Sequence, residues 1–555
     1  MTDIVRQRVL GLCLLFLIFD FFFLGLGGYD LTAPDEPRFA LVAREMLSDN
    51  HWILPHRNQI PYPDKPPLFF WTIAAFSALG GGTVTAWTGR LPSALAAAVI
   101  LFLMWGWSRP KKQDDLLPLL TVIVLMSCVK FFFQARIAQI DMVLCLFTTA
   151  SLLTGYNALT GKPYSPFWLG MFMGLGILAK GPVGYLVPAG SMALFAVFGG
   201  RETWRNYPVK ALVWGLVPVM GWLALLVLDV ALHNQWDYLK NLLFKQTVVR
   251  YLDPWHHYQP FYYFWVSILY DFLPWTPFLL LSLPLSGNRR RSLDSREKFS
   301  WAVILFTMVF FSLSRGKRNL YILPLFPFAA YVSAVKLKEL MKRDVFNRWE
   351  SLAAVFPGLL FLILGAALVL PAGGWVTIPA AWIDSRPPQA WILTGGILLL
   401  IIALGIFGAW MKHRFRPVVA GTLAAMLVVN FLFFSVVLPW LDPHRSARGF
   451  MQKANALIRS RSGDPVVGMV DFRAEYRFYG DYPLVELANE GGGPDPGLPK
   501  IENFFDKYPQ GWLIVREKHW EQFAKTHAVE SEIHLMQKIG DRKNMMLVSK
   551  KDQSR

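Results

Sequence analysis

The chain has 555 residues, of which 54% are hydrophobic and only 17% charged, with a mean hydropathy of +0.36. That balance excludes an ordinary soluble domain, in which about a quarter of residues are charged. A net charge of +17 would suggest nucleic acid in a soluble protein. In a membrane protein it reflects basic residues gathered in short cytoplasmic loops, and no nucleic-acid partner is expected.

Apolar stretches near the length of a bilayer crossing recur along the chain. They predict spans near 8–27, 87–107, 114–131, 140–157, 166–180, 182–199, 208–232, 263–286, 298–314, 319–336, 349–371, 389–411 and 417–440, about thirteen in all. The first is Phe-rich and lacks a small-x-small cleavage site, so it reads as an uncleaved span rather than a signal peptide. A long first outer loop, 28–86, follows it. Within this loop Pro66 to Leu79 is apolar again and is assigned to a helix lying at the outer interface, because a span there would invert the charge pattern downstream.

With the N-terminus inside, the basic clusters Arg109 to Lys112, Lys162, Arg201 to Arg205, Arg289 to Arg291, Lys336 to Arg348 and Lys412 to Arg416 all fall on the cytoplasmic face. The outer face receives Asp35, Glu36, Arg38, Asp64, Lys65, Arg136 to Asp141, Lys180, Arg250 to Tyr263 and Arg315 to Arg318. Basic residues there run against the rule, which makes them candidates for anion binding. Cys13, Cys128 and Cys145 lie in apolar runs without metal-ligand spacing and read as small core residues.

From Asp442 the composition turns polar. Strands are expected at Val466–Val470 and Trp512–Val515, and helices at Ser446–Ile458 and Lys518–Lys525. The expected organisation is a transmembrane catalytic domain over 1–441 and a small α/β domain over 442–555, on the outer side. The sequence has no nucleotide-binding glycine fingerprint.

Carboxylates and cations at the outer edge of a membrane suit attack on a sugar anomeric carbon. An acid takes the acceptor proton and cations stabilise the departing phosphate. Asp35 follows a proline at the start of the outer loop and is the first candidate base; capping of the following helix competes with that role on even terms. Glu36 has the weaker case and is expected to face solvent. Lys65 precedes two prolines that fix its backbone and suits a phosphate as a point charge, with membrane snorkelling as the alternative. Asp64 either pairs with Lys65 or binds a metal. Asp141, near Arg136, is either functional or half of a buried helix-joining pair. His256 and His257 are adjacent and could join a carboxylate around a divalent ion, although no helical His spacing supports this. Arg315-Gly316-Lys317-Arg318 offers three cations around a glycine turn and is the stronger anion candidate.

Asp35-Glu-Pro-Arg38, Tyr62-Pro-Asp-Lys-Pro-Pro67, Arg90-Leu-Pro92, Arg136 to Asp141, Lys180-Gly-Pro182, His257 to Tyr262 and Gly316 to Tyr321 occur in this order. Together they resemble the GT-C superfamily of polyprenyl-phosphate-sugar glycosyltransferases. The nearer likeness is to the protein O-mannosyltransferase-related group that includes bacterial 4-amino-4-deoxy-L-arabinose transferases acting on lipid A. The resemblance implies a GT-C fold of about thirteen spans plus a periplasmic domain, in a bacterial inner membrane. It implies Asp35 as the essential acid and Asp141 as a second acid, with Glu36 beside them. Tyr62, Lys65 and Tyr321 would contact the lipid phosphate; Arg38, Arg250, Lys317 and Arg318 are further phosphate candidates as basic residues on the outer face. Asp64 and a loop histidine would sit near a divalent ion, if one is used; no cofactor is otherwise expected. The partners implied are an undecaprenyl-phosphate-linked sugar, lipid A or another periplasmic acceptor, and membrane lipids. This chain has Asp64 where the aminoarabinose enzymes carry Glu, and Phe39 where Tyr is common. The same chemistry with another sugar and a glycan or protein acceptor is the alternative. A lipid flippase or transporter would place polar groups at the bilayer midplane of two repeated halves, and a structural assembly protein would not need the outer carboxylates.

Overall fold

Apolar segments in lipid must satisfy their own backbone groups, and helices do so within one segment. The computed structural model describes residues 3–109, 116–242, 258–284, 293–343, 345–373, 388–461, 464–487, 498–527, 530–540 and 544–551. Among them, eight helices are long and apolar enough to cross a membrane, and a ninth appears if the pair α5 (Leu117–Met126) and α6 (Val129–Ala135), bent by 69°, is one span. The chain is therefore a multi-span helical membrane protein. The thirteen expected spans are not all reproduced at full length. The helix Pro166–Lys180 has 15 residues, and the expected 263–286 span divides into Tyr263–Asp271 and Thr276–Leu281.

The physical reason is that hydropathy sees composition but not breaks. The break after α5 and the break near Pro274 face each other. The Val129 amide donates to Leu273 O at 2.9 Å, and Trp275 Nε1 donates to Ser127 Oγ at 2.9 Å. Each break satisfies polar groups freed by the other, which allows irregular backbone inside a helical bundle.

Helix α1 (Asp3–Phe22) leads into the first loop, and α2 (Asp35–Asp49) opens with two acids and a proline in its first turn. Both suit a helix N-terminus, where the dipole favours negative charge and proline costs no hydrogen bond. Asn50 ends α2 in the left-handed region at φ 61°. A short hairpin, β1 (His56–Arg57) and β2 (Ile60–Pro61), turns through Asn58 and Gln59, both at positive φ. The expected interfacial helix is α3 (Leu68–Leu79), which starts just after Pro67. Helix α4 (Ala86–Ser108) begins with a reciprocal Thr85–Thr88 capping box. Helix α7 is Ile140–Leu159, α8 is Pro166–Lys180 and α9 is Val183–Arg205.

The C-terminal region builds a five-stranded sheet in the order β4-β3-β5-β7-β6. Strands β3 (Val467–Met469), β4 (Leu484–Glu486) and β5 (Trp512–Arg516) are parallel, while β6 (Ser531–Lys538) and β7 (Asn544–Lys550) are antiparallel. Side chains alternate along β5: Trp512 and Ile514 enter one core, Leu513 and Val515 the other. The expected strands and helices of this region all appear; β4, β6, β7 and the helices Ala474–Tyr479 and Leu498–Lys507 had no strong sequence signal.

This small domain and the first loop meet at one end of the bundle. Leu41 of α2 is buried in one of the domain's two cores. Arg44 donates to the carbonyls of Phe478 at 2.7 Å and Arg477 at 3.0 Å, at the end of a helix where carbonyls lack intrahelical donors. Asn58 pairs with both backbone groups of Leu484, at 2.7 and 2.9 Å, while Glu45 holds the hairpin amides of Asn58 and Gln59 at 2.8 and 3.0 Å.

Candidate active site

The first turn of α2 presents two adjacent carboxylates in opposite environments. Glu36 is 1% exposed, not facing solvent as expected. Its oxygens take Arg90 Nε at 2.8 Å and Nη2 at 2.9 Å, the Ala138 amide at 2.7 Å and the Thr32 amide at 2.7 Å. Arg90 in turn donates to the carbonyls of Leu26, Tyr29 and Asp30. With its acceptor capacity filled, Glu36 organises the loop and is a poor base. Both acids are buried, but they point about 100° apart around α2, so each meets a different set of partners.

Asp35 is the first helical residue rather than the cap, which is Pro34, and α2 has no side-chain cap. Its carboxylate instead accepts from Arg38, from Arg318 at 2.8 Å and from Gln139 Nε2 at 2.9 Å. Burial pushes this carboxyl up, but Arg38 and Arg318 outweigh it and hold the group below its ordinary value. Asp35 is therefore a carboxylate at neutral pH.

Asp141, at the start of α7, pairs with Lys180, the last residue of α8. The Lys180 ammonium also stands 4.2 Å from the centre of the Tyr321 ring. Lys180 is held at this height by a close helix hairpin. Gly181 turns at φ +79°, and Gly176 and Gly184 touch so closely that a Cβ on Gly184 would lie 2.1 Å from a backbone atom of Gly176. Arg136 does not pair with Asp141. It donates to Phe21 O at 2.9 Å and to Leu24 O, closing the carbonyl end of α1.

Of the neighbouring loop cations, Arg318 reaches Asp35. Lys317 is buried and donates to Gln259 O at 3.0 Å and to Ser314 O. The Lys317 ammonium thus serves backbone carbonyls, one in its own turn and one in the Gln259 segment, and does not reach Asp35 as Arg318 does. Tyr62 is buried against Phe70, and Lys65 is half-buried just before α3. Their segment packs on α2 through Phe39, whose ring meets Phe69 and Phe70 at 5.7 and 5.8 Å. Arg250, His256 and His257 lie outside the described residues. Asp64 is half-buried beside Lys65, and no group of three His, Cys, Asp or Glu able to hold a metal occurs among the described residues.

Several residues of this cluster carry little sequence signal. Gln139 binds Asp35. Asp271 accepts from Asn319 at 3.1 Å, and Lys130 lies within electrostatic reach of Asp271, Asp141 and Arg318. An acid inside the apolar 263–286 stretch was a usable clue to Asp271. The assembled site is a set of carboxylates and cations at the end of an apolar bundle, able to bind a phosphate and accept a proton.

The sequence and the fold are similar to those of known proteins. Residues 64–236 match the family described as dolichyl-phosphate-mannose-protein mannosyltransferase. The crystal structure of ArnT from Cupriavidus metallidurans bound to undecaprenyl phosphate superposes with a TM-score of 0.72 at 19% identity, covering 98% of both chains. The chain has a GT-C fold. Among curated relatives, the undecaprenyl phosphate-alpha-4-amino-4-deoxy-L-arabinose arabinosyl transferase of Pseudomonas paraeruginosa is 26% identical over 501 residues, 85% of this chain and 87% of that one. Arabinosyl transferase 1 of the same description from Pseudomonas fluorescens is 28% identical over 356 residues, 62% of this chain and 63% of its own length. The latter match thus spans just under two thirds of that relative.

Proposed function

We propose that this protein is an inner-membrane glycosyltransferase that transfers 4-amino-4-deoxy-L-arabinose from undecaprenyl phosphate to lipid A, with its site and C-terminal domain in the periplasm. The observation that carries this reading is Asp35, ionised and cradled by Arg38, Arg318 and Gln139 at one end of a GT-C bundle. The arabinosyl transferase relatives supply the donor and sugar class, and the ArnT structure holds undecaprenyl phosphate on the same fold.

In the free enzyme the arginines face a carboxylate. An arriving donor phosphate competes for the same cations, which bind phosphate oxygens in the same forked geometry. Arg318, Arg38 and Lys180 then hold the phosphate, joined by Lys65 and Arg250, with Tyr62 and Tyr321 beside it. Losing arginine contacts makes Asp35 a stronger base. It takes the proton from the acceptor O–H as the new C1–O bond forms. The bond from C1 to the donor phosphate oxygen breaks, and undecaprenyl phosphate leaves with its charge stabilised by the cations. Asp141 keeps Lys180 placed.

The test is mass spectrometry of lipid A from cells with and without the protein, alongside transfer from purified donor in detergent. The expected result is lipid A heavier by one aminoarabinose only when both protein and donor are present. Unmodified lipid A together with a glycosylated protein or glycan would replace this acceptor by the alternative one.

A further inference from the structure

The sheet of the C-terminal domain has a feature that a merely structural cap would not need. Strand β3 lies between β4 and β5, all three parallel, so the crossover from β3 to β4 and the next from β4 to β5 run in opposite directions across the sheet. In open α/β sheets, ligands bind outside the carboxyl ends of the strands at this reversal. Here those ends carry Asp471 and Arg473 after β3, and Arg516 at the end of β5. Asp471 sits at φ 57°, in the left-handed region. It accepts from Arg516 at 2.5 Å and lies 3.8 Å from Arg473 Nε, which has no hydrogen-bond acceptor among the described residues.

This end of the sheet faces the membrane domain across a cavity of about 660 Å³. Its walls include Arg473, Arg516 and Glu475 from the domain, Arg445 from the helix Leu438–Arg445, and the segment Tyr29–Ala33 that leads into Asp35. The acids on the membrane-domain wall have partners. Asp30 is held by Arg448 at 2.8 Å and Ser446 at 2.7 Å, and Asp442 accepts the Asp30 amide at 2.8 Å. Glu475 stands 3.8 Å from Arg473.

We propose that this crevice is an acceptor subsite that binds an anionic headgroup of the phosphate-monoester class, with Arg473 and Arg516 as its ligands and Arg445 facing them. Asp471 then acts as the resident anion that keeps the arginines extended, and the incoming phosphate takes over their forks. A headgroup held there lies against the chain segment that ends in the base, so binding it brings the rest of the acceptor toward Asp35. The word acceptor rests on the function proposed above; the phosphate site itself does not.

The experiment uses the full chain in detergent without donor. Three probes are compared: lipid A with its phosphates, enzymatically dephosphorylated lipid A, and inorganic phosphate. The native protein is expected to bind the phosphorylated lipid at least tenfold more tightly than the dephosphorylated one, and inorganic phosphate only weakly. Arg473→Ala with Arg516→Ala should abolish that preference, leave binding of the dephosphorylated lipid unchanged, and raise the acceptor KM with little change in kcat or donor KM. Arg445→Ala, at an exposed position, should reduce the preference severalfold and serves as the deciding variant if the double variant does not fold. A preference that survives in the deciding variant, or is absent in the native protein, overturns the subsite. So does inorganic phosphate binding that the lipid cannot displace, which would mark the crevice as a free-phosphate site. Phosphate-dependent lipid binding without any sugar transfer in the native protein would instead refute the proposed function and leave the subsite standing.

Discussion

Asp35 and Glu36 are neighbours in sequence and opposites in the fold. Glu36 sits in a closed network in which both oxygens meet Arg90 and two backbone amides. Asp35 sits in an open one, where every partner is a side chain from another segment or turn. A carboxylate bound by main chain has a fixed partner set, because those amides cannot leave without unfolding the loop. A carboxylate bound by long side chains can exchange partners with a substrate anion. The comparison teaches that degree of burial alone does not identify the reactive group; 7% and 1% exposure are nearly alike. What separates them is whether the partners are able to leave.

The largest expected effect breaks the comparison at its reactive half. Asp35→Asn keeps the size and much of the hydrogen bonding but removes the proton acceptor, and should lower kcat by roughly 10²–10⁴-fold. Donor binding should hold or tighten, because the charge that competes for Arg38 and Arg318 is gone, and the variant should fold with a modest loss of thermal stability. Near-normal turnover in a folded Asp35→Asn enzyme would move the base to Asp141 or Asp271.

Glu36→Gln attacks the closed half. Removing one member of a buried pair leaves Arg90 uncompensated, at a cost of about 3–5 kcal/mol. The expected readout is a large fall in melting temperature and yield. If the variant is as stable as the native protein but inactive, Glu36 belongs to the chemistry after all. That possibility could not be resolved from sequence, where both acids stand in one Asp-Glu-Pro-Arg motif. The motif made the region legible. The assignment within it depended on Arg90 and Ala138, which lie 54 and 102 residues away.

Among the cations the contrast is between Arg318 and Lys317. Arg318→Ala should weaken donor use by about tenfold to a hundredfold in KM, the equivalent of one charge-assisted contact of roughly 1.5–3 kcal/mol. Lys317→Ala should act mainly on stability, through the carbonyls it leaves unpaired, with little change in donor KM at a temperature where the variant is folded. Equal effects of both substitutions on donor KM would restore Lys317 to the phosphate site.

The smallest effect is on pH. The Asp35 value is held low in the folded protein. Its contribution to stability is therefore present above the unfolded carboxylate value and is lost as pH falls through the lower folded one. In the free enzyme, kcat/KM should stay level through the ordinary carboxylate range and fall only in more acid solution. In Arg318→Ala the acid limb should move to higher pH, because one of the cations that depress the value is gone. An acid limb at the same pH in both proteins would detach it from Asp35.

The sequence by itself determined the helical membrane architecture, the turn to a mixed α/β domain after about residue 442, and the order of motifs that resemble GT-C enzymes. These properties are additive along the chain: hydropathy, charge and turn chemistry sum over neighbouring residues. Only the tertiary structure decided which carboxylate is open, that Arg318 rather than Lys317 reaches it, that two helix breaks satisfy each other across Val129 and Leu273, and that the carboxyl ends of β3 and β5 face the segment before Asp35. Each of these depends on pairings between groups far apart in sequence. A buried polar group takes whichever partner the packing of apolar helices brings within hydrogen-bond reach, and hydropathy, charge and turn patterns read along neighbouring residues do not encode that choice.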